Sequence, residues 1–113
     1  MEKYQFIDSK TMIAGSNINR MDLYYYDGDI DLEKLKSFCR SCRDSVTSEL
    51  FLIVVVFRNK KDAVFPNVPF TAAFGDERAA LSNVRIMYTY NSVNKYSKVE
   101  IYEKNAWNSR VYE

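Results

Sequence analysis

The sequence has no histidine, three glycines, two prolines and two cysteines in 113 residues, and each scarcity removes a class of protein. Without histidine, the Ser-His-Asp and Cys-His arrangements cannot form within the chain, and any general base must be a carboxylate, a lysine or a tyrosine. The glycines Gly15, Gly28 and Gly75 stand apart, so no Gly-rich phosphate loop exists, and neither G-x-S-x-G nor H-E-x-x-H occurs. So little glycine and proline also argues against a linker, a disordered arm or a repeat array. The longest apolar run, Leu50 to Phe57, is eight residues, far short of the ~20 that a membrane helix needs. No apolar stretch follows Met1-Glu2-Lys3-Tyr4-Gln5, so no secretory signal is expected. With Met1 as the native start, the expected location is cytoplasmic, with no membrane partner.

A charge excess is missing too. Lys and Arg number 16 against 15 Asp and Glu, a formal charge of +1. Nucleic-acid binders draw most of their affinity from neutralised phosphates and need clustered cations. The densest basic run is Arg58-Asn59-Lys60-Lys61, which reads more simply as a solvated turn after a strand. Nucleic acid is therefore disfavoured as the partner.

Three arrangements invite chemistry and fall short of it. Cys39 and Cys42 form a C-x-x-C, the spacing of a redox pair or of half a zinc site. A structural zinc site needs four ligands, and the chain has no third cysteine and no histidine. A redox pair belongs at a helix N-terminus, where the dipole stabilises thiolate, whereas this pair falls late in its helix. Two small buried residues is the plainer reading. Asp27, Asp29 and Asp31 supply the first three positions of a calcium loop, but Leu32 stands where glycine is needed and Phe38 where a bidentate glutamate is needed. Asp76-Glu77-Arg78 pairs carboxylates beside a guanidinium. Adjacent helical residues point apart, so this reads as an acidic first turn rather than an acid-base pair. No catalytic residue, metal ligand or cofactor is expected.

What the sequence does have is a strong pattern. Leu32, Leu35, Cys39, Cys42 and Val46 step by three, four, three and four, which draws one apolar stripe along a helix from about 31 to 47. Asp31 suits its N-cap. Leu50 to Phe57 is β-branched and aromatic throughout, the mark of a strand covered on both faces. Val84, Ile86, Tyr88 and Tyr90 alternate with more polar residues, as do Val99 and Ile101. With Asn91 to Lys95 between them, they predict an antiparallel hairpin with one face inward. Earlier strands are expected at Tyr4–Ile7 and Met21–Tyr26, separated by a turn cluster over 8–19. A short strand is expected at Phe70–Phe74 and a short helix at Asp76–Leu81, with the tail over the sheet edge or frayed.

The expectation is one domain over residues 1–113, of α+β class. It comprises an antiparallel or mixed sheet of about five strands, one long helix on one face, and a short second helix. Apolar residues at 47% and charged residues at 27% are the ordinary globular balance, sufficient for a core without metal or disulfide staples.

Nine tyrosines accompany seven phenylalanines and one tryptophan. Tyrosine offers contact area with a polar tip, as binding surfaces do. Taking Val99 and Ile101 as inward puts Tyr102 outward, and taking Met21, Leu23 and Tyr25 as inward puts Tyr24 and Tyr26 outward. These three are the candidate protein-binding residues, on one sheet face. The functional expectation is a small protein-binding module, of an immunity or antitoxin kind or an assembly or adaptor subunit, with another protein as partner. The alternative is a small-ligand or enzymatic domain with a tyrosine-lined pocket.

Overall fold

The computed structural model describes residues 3–47, 51–63, 65, 84–102 and 109–112. Six strands are formed among the described residues: β1 (Gln5–Ala14), β2 (Asn17–Tyr25), β3 (Phe51–Phe57), β4 (Val84–Asn91), β5 (Ser97–Tyr102) and β6 (Ser109–Tyr112). One helix, α1 (Leu32–Asp44), and a 3₁₀ turn, Lys60–Asp62, accompany them. The strands lie side by side in chain order. Every neighbouring pair is antiparallel except β2 and β3, which are parallel.

That one parallel pair follows from α1. A helix between two neighbouring strands carries the chain back to the end where it began, so the second strand must run with the first. The α+β class is therefore as expected, with the sheet mixed rather than wholly antiparallel. The short helix expected at 76–81 and the strand expected at 70–74 lie outside the described residues.

Helix α1 forms where the apolar stripe placed it. The Asp31 carboxylate accepts the Lys34 backbone N–H at 3.1 Å, satisfying one of the free donors of the first turn. Leu35, Cys39 and Cys42 are buried, and Leu32, Phe38 and Val46 pack beside them. Their floor is the inward face of β3, β4 and β5: Leu52, Val54, Val56, Ile86, Tyr88 and Val99. Burial of an aliphatic side chain of this size contributes about 1.5–3 kcal/mol.

Strand β3 is buried from Leu52 to Phe57, so it has two covered faces. Its other phase, Ile53, Val55 and Phe57, joins Met21, Leu23, Val84 and Tyr102 in a second core. Ile7, Met12 and Phe65 pack against that layer.

The N-terminal region differs most from expectation. Residues 8–14 are not a turn cluster but the body of β1, which runs for ten residues. Its reversal is the two-residue turn Gly15-Ser16, where Gly15 takes φ +65°, a conformation that glycine reaches without a Cβ penalty. The polar run Asp8-Ser9-Lys10-Thr11 is compatible with a strand because β1 is outermost among the described strands and these four side chains are exposed. Ile7 is the extra residue of a bulge: Phe6 pairs with Tyr24 and Asp8 with Leu23. The tail is ordered at Ser109–Tyr112, which pairs with β5.

Candidate functional site

The three tyrosines expected on one outer face are not on one face. Tyr24 and Tyr26 point to the helix side, and Tyr102 points into the second core. Tyr26 is 8% exposed and Tyr102 6%, while Tyr24 is half-buried. The outward orientation assigned to them is therefore corrected. Strand alternation separates two faces without saying which is wet, and this sheet has a core on each side. The Tyr26 hydroxyl donates to the Asp29 carbonyl at 2.6 Å, and the Tyr102 hydroxyl to Glu100 Oε2 at 3.2 Å. Burial, then the neighbouring Glu100 carboxylate, pushes the Tyr102 hydroxyl well above its usual range.

The two thiols are buried and free. Burial, then the neighbouring Cys42 thiol, pushes Cys39 up to about 12, and burial pushes Cys42 up to about 11. Thiols held neutral in this way are poor nucleophiles. Among the described residues, no group of three or more Cys, Asp or Glu side chains is placed to hold a metal ion. None of the described helices is long and apolar enough to cross a membrane.

Surface depressions among the described residues include two of note. The first is a cleft of about 480 Å³ at the C-terminal ends of β2 and β3, lined in part by Asp27, Asp29, Arg58, Arg85 and Tyr102. The Arg85 guanidinium donates to the Tyr26 carbonyl at 2.9 Å and lies over the Tyr26 ring at 5.4 Å. Arg58 donates to the Tyr102 carbonyl at 2.6 Å. Desolvation, then the charge of Arg85, lowers the proton affinity of Arg58.

The second is a groove of about 330 Å³ between α1 and strands β4 and β5. Leu32, Cys39, Tyr88 and Val99 supply apolar surface within it. Lys36, Arg40 and Arg43 supply its charge, and no acidic side chain is among the described residues that line it. Arg40 donates to Ser37 Oγ at 3.1 Å, and Arg43 sits 4.0 Å from Asp44, a partly exposed pair of little strength. Lys36, Arg40 and Arg43 step by four and three, so they form a second stripe beside the apolar one. In the sequence these cations show only as residues that fall off the apolar stripe of α1. Their spacing was the signal, and it needed the position of β4 and β5 to be read.

No family model, no curated protein and no solved structure matches this chain.

Proposed function

We propose that this chain is a protein-binding module, and that it takes an acidic segment bearing an apolar anchor into the groove between α1 and β4–β5. The observation that carries this reading is the groove's composition: apolar surface beside three cations, with no acidic side chain among the described residues that line it. Interfaces are built from buried apolar anchors within a polar rim, and cations at the rim steer an acidic partner. A protein of the immunity or antitoxin kind, which covers another protein's working surface, or an assembly or adaptor subunit would use such a groove.

Site-specific crosslinking tests it in the native host. A photoreactive residue at Ser97, in the groove, should trap a partner protein through an acidic segment, while one at Thr11 on β1 should not trap that partner. Equal capture at both positions, or none at Ser97, overturns the reading.

The cleft holding Arg58 and Arg85 favours a second reading, a site for a small anionic ligand. Chemical shifts that move at Arg58, Arg85 and Tyr102 on addition of a dicarboxylate, and not at Arg40, would support it.

A further inference from the structure

Among the described strands, β1 pairs with β2 alone. Its outer edge carries backbone donors and acceptors that no described strand meets, the usual template for adding another strand. Two of the exposed large apolar side chains also sit on β1: Phe6 is 57% exposed and Ile13 71%. We infer that this edge is the interface of a symmetric dimer, in which two copies of β1 pair antiparallel about Ser9.

The centre follows from charge and phase. Directly opposed residues share a sheet face, so a two-fold axis normal to the sheet must set one residue against its own copy. Centring on Lys10 opposes two ammonium groups. Centring on Thr11 sets Lys10 against Met12 and leaves Asp8 facing Ala14. Centring on Ser9 sets Asp8 of each copy against Lys10 of the other, giving two opposite-charge pairs on the face shared by Leu23 and Met21.

The bulge completes the fit. Because Ile7 is an extra residue, the pairing shifts by one beyond Asp8, and Phe6 then opposes Thr11 of the other copy. Ile13 of that copy becomes its diagonal neighbour on the same face, a spacing of ~7–8 Å that an aromatic ring can reach. The two exposed apolar side chains thus cover each other twice. At the axis the Ser9 hydroxyl donates to Asp22 Oδ1 at 2.6 Å, while the Ser9 backbone N–H donates to Asp8 Oδ1 at 2.8 Å. Lys10 lies 5.8 Å from the Phe65 ring centroid. The dimer exchanges these local contacts for the strand pairing and the two ion pairs. Strands β2, β3 and β4 separate β1 from β5, so the dimer leaves the groove between α1 and β4–β5 open.

Sedimentation over a rising concentration series, with circular dichroism to verify folding, tests the register. The wild-type chain should dimerise. Asp8→Lys or Lys10→Asp alone should weaken the dimer roughly tenfold or more, because both pairs become like-charged. The double exchange Asp8→Lys/Lys10→Asp should restore it. An equal mixture of the two single variants should form heterodimers, since one variant then carries lysine at both positions and the other aspartate at both, and every cross-strand pair is of opposite charge. A wild-type chain that stays monomeric throughout overturns the inference, with Asp8 and Lys10 serving only to keep the edge solitary. Single variants that dimerise as well as the wild type overturn it equally. Neither result touches the groove, whose test is separate.

Discussion

The Phe6 ring meets the Tyr24 ring edge-on, with 5.5 Å between centroids and 76° between planes. Tyr24 in turn meets Phe38 of α1 at 4.9 Å and 84°, and Phe38 stacks on Tyr4 at 4.3 Å. A chain of rings therefore ties the outermost strand to the helix. An edge-to-face pair is worth about 0.5–1.5 kcal/mol beyond area burial. A double-mutant cycle of Phe6→Ala and Tyr24→Ala, read by urea denaturation, should return a coupling of about that size. Strict additivity would show that the rings only lie near each other.

Tyr26→Ala and Tyr102→Ala should each destabilise strongly. Removal of a large buried aromatic side chain typically costs about 3–5 kcal/mol, and both rings are under a tenth exposed. Thermal melting checks this. Unchanged melting in either variant would return that tyrosine to the surface and to candidacy as a contact residue.

Val55→Asp should abolish folding. Val55 is 0% exposed and lies between Leu23 of β2 and Met87 of β4. An unpaired carboxylate there costs several kcal/mol against a total stability of about 5–15 kcal/mol. A soluble variant with a cooperative melt would remove β3 from the centre of the sheet.

The thiols give a pH prediction. Their folded pKa values, about 12 for Cys39 and about 11 for Cys42, lie above the ordinary 9.0. Below pH 9.0 both states hold the proton and the thiols add no pH dependence. Above it the unfolded chain releases protons that the folded chain keeps, so stability falls as pH rises toward the folded values. Burial raises Tyr4 and Tyr24 to about 12, which acts in the same direction. The melting temperature should drop above about pH 9, and a thiol reagent at neutral pH should react slowly with both cysteines. Fast labelling of both would show that α1 does not seal its stripe.

The helix and the central strand were legible because each is decided locally. The stripe from Leu32 to Val46 has one period that fits, and the run ending at Phe57 is apolar at both phases, so it had to be covered twice. The hairpin of Val84–Asn91 with Ser97–Tyr102 was legible for the same reason: its alternation reports one inward face. Strand β1 was not, since the polar residues Asp8 to Thr11 are compatible with either a loop or an edge strand. Only the pairing with Leu23 to Arg20 decides it. The tyrosines failed because the alternation in Met21–Tyr26 fixes which residues share a side but not whether the other side is dry. The groove was half legible. The spacing of Lys36, Arg40 and Arg43 is in the sequence, while the apolar surface that makes them a rim comes from β4 and β5.

The most direct measurement of the central claim is the affinity of the crosslinked partner for the wild-type chain and for Arg40→Glu/Arg43→Glu. Arg40 is exposed and Arg43 half-buried at the helix surface, so the double variant should melt within a few degrees of the wild type. Its affinity should fall by roughly tenfold or more, mostly through slower association, and added salt should narrow the difference. Equal affinity of the two proteins, at low and at high salt, would contradict the account.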